Sequence, residues 1–109
     1  MRLGAHAPMK RISNTQVNLV AERARAMGDP TRVRILDVLA HAEQPVGQVA
    51  AALACEPSMI SKHLQVLYRA GLVVRRRAAN AVIYSIAAPE LSDWCRYLAS
   101  VRIDRAHRA

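Results

Sequence analysis

Apolar side chains return along this chain at the three- and four-residue intervals of a helix, stop at Gly or Pro, and start again. The first run is Ser13–Met27, where Val17, Val20, Ala21, Ala24 and Met27 share a face and Gly28 ends the pattern. "GDPTRVRILDVLAHAEQP" restarts it, with Asp29 placed as a cap and Pro30 at the first helical position. Its predicted apolar face is Val33, Leu36 and Leu39, and Glu43–Pro45 reads as a turn. "VGQVAAAL", residues 46–53, predicts a short helix with Val46, Val49, Ala50 and Leu53 inward. After a turn at Ala54–Cys55–Glu56, Pro57 opens a helix that runs to about Ala70, where Gly71 is suited to stop it.

The pattern then changes period. "LVVRRRAANAVIYSI", residues 72–86, has β-branched runs on either side of Ala79–Asn80, and Asn tolerates the left-handed backbone that a tight turn needs. This predicts a β-hairpin. Pro89 starts a last helix with Leu91, Trp94, Leu98 and Val101 on one face. The fold class is therefore mainly α with a β-hairpin wing, in the order α-α-α-α-β-β-α. One domain is expected over residues 13–104, after a flexible basic arm (1–12) and before a frayed tail (105–109).

Composition narrows the function. The 109 residues are 52% apolar and 22% charged, which is a globular composition with a modest core. Sixteen Lys and Arg against eight Asp and Glu leave a net charge of +8, favouring a polyanionic partner. The aromatic residues are Tyr68, Tyr84, Trp94 and Tyr97, with no Phe, too few for a platform on which single-stranded bases stack. No apolar run reaches membrane-spanning length, and the N-terminus lacks the apolar core of a signal peptide. The reading is a cytoplasmic chain that does not engage a membrane, with its two cysteines as free thiols. No Ser-His-Asp, paired-carboxylate or Gly-rich phosphate arrangement points to an enzyme.

The helix from Pro57 carries the strongest chemical signal. At about 100° per residue, Ile60, Leu64 and Leu67 fall on one side. Ser58, Ser61, Lys62, Gln65 and Arg69 fall on the other, with Met59 beside them. No acid occurs from Pro57 to Pro89, whereas Lys62, Arg69, Arg75, Arg76 and Arg77 do. A solvated face without a partner usually mixes signs; this one suits phosphates and base edges. The short helix, tight turn and following helix make a helix-turn-helix whose second helix enters the major groove of double-stranded DNA. Short serines let the backbone approach, Lys62 and Gln65 reach bases, and Gln suits adenine. Arg75–Arg77 would lie along the backbone or minor groove as a wing, with Arg76 on the face opposite Arg75 and Arg77. His63, at the edge of the apolar face, reads as a boundary hydrogen-bonding residue.

"MGDPTRVRILDVLA", "PVGQVAAAL", "SMISKHLQVLYRAGLV" and "RRRAANAVIYSI" resemble the ArsR/SmtB family of winged helix-turn-helix repressors, over roughly residues 15–100. The resemblance implies a homodimer built from the first and last helices, and repression of an operator relieved by an inducer, often a metal ion. It also implies DNA-reading residues at Ser58, Ser61 and Lys62. Three features depart from the family. Where its thiolate metal site would lie, this chain has "QPVGQVA". The last helix offers Asp93, Cys95, Asp104 and His107 at spacings unlike the family's other metal site, so no metal ligands are assigned. The hairpin tip lacks the usual acidic-Gly pair.

Two thiols remain as candidate sensors. Cys55 stands just before the reading helix, whose N-terminus favours a thiolate, although Glu56 opposes this. A small buried hydrophobe is the competing reading. Cys95, beside Trp94 in the expected dimer helix, either packs or serves redox, persulfide or soft-metal sensing. The functional expectation is thus a dimeric DNA-binding repressor with an inducer and no bound cofactor. The alternatives are a winged-helix protein-interaction module or a DNA-binding regulator without a small-molecule inducer.

Overall fold

The first helix, α1 (Asn14–Met27), begins where Ser13 and Gln16 exchange hydrogen bonds, each side chain accepting from the other's amide. In this computed structural model, which describes residues 10–102, Gly28 closes that helix by donating to the Arg25 carbonyl. Asp29 then caps α2 (Pro30–His41), accepting from the Arg32 amide at 3.1 Å. The same hydrogen bond, with the nearby Arg32 charge, holds the Asp29 carboxyl below its ordinary pKa. Residues 10–12 carry no regular element. The rest of the expected arm, the tail, Asp104 and His107 lie outside the described residues.

A two-residue strand, β1 (Gln44–Pro45), leads into α3 (Val46–Leu53), and a turn leads on to α4 (Pro57–Arg69). In that turn Ala54 adopts the left-handed conformation at φ 53°. Helix α4 ends in a Schellman motif: Gly71 donates to Tyr68 at 3.0 Å and Leu72 to Leu67 at 2.9 Å. Gly71 has φ +77°, and a Cβ there would lie 3.0 Å from the Arg23 guanidinium. That guanidinium crosses from α1 to donate to the Ala70 carbonyl at 2.9 Å. Glycine is therefore required twice at this position, for its backbone and for the space.

Strands β2 (Val73–Ala78) and β3 (Ala81–Ile86) form the hairpin, and α5 (Glu90–Ser100) follows. The sheet is antiparallel in the order β1-β3-β2, with Gln44 opposite Tyr84 and Arg75 opposite Tyr84 on the other side. Three details differ from the pattern-based reading. Glu43–Pro45 is more than a turn, because Gln44 and Pro45 pair with β3; a two-residue strand leaves no periodicity to detect. The left-handed residue of the hairpin turn is Ala79, at φ 53°, rather than Asn80. Val101 caps α5 instead of extending it.

The core is Ile35, Leu36 and Leu39 of α2, Val49 and Ala50 of α3, Ile60, Leu64 and Leu67 of α4, with Ala26, Ala70, Leu72, Val73 and Tyr84. The apolar triad of α4 is fully buried, each residue contributing roughly 1.5–3 kcal/mol. In α2 the buried set includes Ile35 where the pattern had Val33, which is 38% exposed. This helix meets neighbours on two sides: Ile35 faces the main core, and Val33 lines grooves shared with α1 and α5. Helix α5 buries no residue fully and α1 buries only Ala26, so Val17, Val20, Trp94 and Leu98 stay exposed.

Candidate nucleic-acid interface

Because Ile60, Leu64 and Leu67 point inward, the α4 backbone turns the opposite stripe to solvent. Ser58, Met59, Lys62, Gln65 and Arg69 are exposed, and Ser61 is half-buried between them. Among the described residues Lys62 and Arg69 have no acid within ion-pair distance. Arg69, at the C-terminal end, lines a cleft of about 400 Å³ toward α1 with Glu22, Arg25 and Arg32. The stripe is thus continuous from Ser58 to Gln65, while Arg69 belongs also to the α1–α4 junction.

That junction is tied by Arg32. Its side chain donates to the carbonyls of Ala26 and Arg25 at the end of α1, and its guanidinium lies 3.2 Å from His63 Nδ1 on α4. His63 is a boundary hydrogen-bonding residue, as the helical wheel suggests.

The wing arginines separate into different environments. Arg75 places its guanidinium over the Tyr68 ring, 4.0 Å from the centroid. The hydroxyl of Tyr84 is the main influence raising the Arg75 pKa further, with Tyr68 contributing. Arg76, on the other face, forms a 2.8 Å ion pair with Glu43. The acid-free window of sequence is therefore not acid-free in space: Glu43, ahead of β1, reaches the wing. The pairing lowers the Glu43 carboxyl pKa and raises that of Arg76. Arg77 has no ion-pair partner among the described residues. Sequence reasoning did not single out Tyr68, Tyr84, Glu43 or Arg23 as partners of this face, since each acts across a large separation or another element.

The cysteines lie apart in character. Cys55 is half-buried against the core, and its Sγ donates to the Leu53 carbonyl at 3.4 Å, a bond that only the protonated thiol can make. Cys95 lies where α5 faces α2, lining two small apolar grooves of about 220 and 240 Å³. Burial, then the negative charge of Asp37, pushes its thiol pKa up against the opposing pull of Arg96. Among the described residues, no group of three or more His, Cys, Asp or Glu side chains is placed to hold a metal ion.

A helix, a three-residue turn, an exposed cationic helix and an arginine-bearing hairpin together define a winged helix-turn-helix DNA-binding domain. Residues 27–76 match the family model described as a helix-turn-helix domain. An uncharacterized HTH-type transcriptional regulator of Mycobacterium tuberculosis is 42% identical over 69% of this chain and 67% of its own length. The transcriptional repressor SmtB homolog of Synechocystis is 34% identical over 81% of this chain and 67% of its own. Among solved structures, the homodimeric winged helix-turn-helix domain of a possible ArsR-family regulator from Mycobacterium bovis superposes with a TM-score of 0.74. It is 30% identical and covers 84% of this chain and 90% of that one. The chain belongs to the ArsR/SmtB family of winged helix-turn-helix proteins. It is a DNA-binding transcriptional regulator and not an enzyme. No helix among the described residues is long and apolar enough to cross a membrane.

Proposed function

We propose that this regulator is a cytoplasmic homodimeric repressor that binds an inverted-repeat operator, with α4 of each protomer in a major groove. Ser58, Met59, Ser61, Lys62 and Gln65 face base edges and nearby phosphates; Arg69, Arg75, Arg76 and Arg77 follow the backbone. The observation that carries this reading is the exposed α4 stripe, which bears cations, hydroxyls and an amide and no acid. The exposed apolar residues of α1 and α5, Val17, Val20, Trp94 and Leu98, support pairing through those helices, because a monomer would leave them in water. The named repressor among the relatives supports the sign of regulation, and the homodimeric neighbour supports the assembly.

Binding of the chain to its own promoter duplex, followed by fluorescence anisotropy, tests the reading. The wild type binds with a steep salt dependence. The Ser61→Ala/Lys62→Ala double variant loses most of that affinity; retention of it would remove α4 as the reading face. Release by an inducer is assigned to thiol chemistry at Cys95, with Cys55 as the second candidate thiol. The half-buried position of Cys95 between α2 and α5 supports this, since modification there would press on the helix expected to pair. Cys95→Ser protein that still leaves DNA on treatment with oxidant, polysulfide or a soft metal would overturn it.

A further inference from the structure

Helix α4 and the wing are joined by more than the backbone turn at Gly71. Tyr68 stands in the last turn of α4 and Arg75 is the third residue of β2, and their side chains meet with the guanidinium 4.0 Å from the ring centroid. On the neighbouring strand Tyr84 stands directly opposite Arg75 and is buried. One cation is therefore held by a ring of α4 and set opposite a buried tyrosine of β3, while the cation next to it is engaged by Glu43. Arg75 is nonetheless exposed, so its N–H donors remain open to a ligand. An unrestrained arginine loses rotamer freedom when it docks on a phosphate; one already oriented by an aromatic face loses less. The ring also ties the donor's position to α4 itself.

We propose that Tyr68 is a positioning residue for DNA binding, its ring presetting the Arg75 guanidinium so that α4 and the wing engage one duplex as a single unit. This rests on the reading of α4 and the wing as the DNA-facing elements. The ring face, and not the hydroxyl, does the orienting. Tyr68 touches Arg75 and not the nucleic acid, so its contribution disappears when Arg75 is absent.

A double-mutant cycle on the promoter duplex tests this, with salt titrations and thermal midpoints for each protein. Tyr68→Ala weakens binding about threefold, the factor expected of an exposed cation–π contact, and keeps the full salt slope because Arg75 stays charged. Tyr68→Leu, which keeps the bulk, behaves like Tyr68→Ala, whereas Tyr68→Phe binds like wild type. Arg75→Ala weakens binding about tenfold and reduces the salt slope by about 0.9, the loss of one phosphate contact. Adding Tyr68→Ala to Arg75→Ala changes nothing further. Additive losses would overturn the proposal, making Tyr68 a direct contact, and so would failure of Tyr68→Phe to restore binding. If Arg75→Ala has no effect while Ser61→Ala/Lys62→Ala does, the wing contact is wrong and the role of Tyr68 falls with it. If neither has an effect, the DNA face itself is wrong.

Discussion

The guanidinium of Arg32 lies 3.2 Å from Nδ1 of His63, which couples the start of α2 to the middle of α4. Arginine is always a donor, so Nδ1 is the acceptor in this contact. The same Arg32 donates to the Ala26 carbonyl at the end of α1. One side chain therefore joins three helices, and it does so through a fork of donors that lysine lacks. Arg32→Ala is expected to destabilise the fold by about 1.5–3 kcal/mol, the range for hydrogen bonds to a charged group. Arg32→Lys should recover little of it. Urea unfolding of both variants measures this, and full recovery by lysine would show that charge, not the fork, matters.

Glu43 competes with any phosphate for Arg76. In Glu43→Gln the ion pair at 2.8 Å is gone and Arg76 is free to swing to DNA. DNA affinity should rise and the salt slope steepen by up to about 0.9. The thermal midpoint should hardly move, because the pair is exposed and screened. Unchanged affinity and slope would mean that Arg76 does not meet the duplex.

Ala54 holds a left-handed backbone at φ 53° in the turn between the two helices of the DNA-binding motif. Glycine takes this conformation without the clash that Cβ makes with the following carbonyl. Ala54→Gly is expected to stabilise the fold by about 0.5–1 kcal/mol, after the larger entropy of the unfolded glycine is offset. A loss of stability in denaturant titration would show that the left-handed strain is already relieved elsewhere.

Cys95 has its thiol pKa raised, chiefly by burial and then by Asp37. The sign follows directly: a raised pKa leaves less thiolate at neutral pH than an exposed cysteine has, and thiolate is the reactive form. Alkylation of Cys95 should therefore be slow near pH 7.5 and accelerate as pH climbs beyond the usual thiol range. Asp37→Asn should speed it at neutral pH by removing the nearby negative charge. Mass spectrometry of protein alkylated across a pH series reads both effects. Alkylation faster than that of a free thiol peptide would contradict the burial.

Much of the α4 site is legible in one dimension because a helix converts spacing into direction. Ile60, Leu64 and Leu67 define an inside, so Ser58, Lys62 and Gln65 must be outside, and the structure leaves them exposed. The caps are legible for a similar reason: Asp29 and Gly71 act on residues within a turn of themselves. The choice of Ile35 over Val33 in α2 was not, since both fit a helical face and only the arrangement of neighbouring helices separates them. Nor was β1, whose two residues become a strand only because β3 lies alongside.

The sequence by itself determined the five helices and the hairpin, the inward and outward faces of α4, and the excess of positive charge, all of which follow from backbone geometry and side-chain chemistry over short separations. Only the tertiary structure decided how the cations are used. It brings Glu43 to Arg76 across 33 positions, Arg32 to His63 across 31, and Arg23 to Ala70 across 47, and it lays Arg75 on Tyr68. Such pairings depend on the packing of whole helices and strands around a shared core, and no period along the chain encodes them.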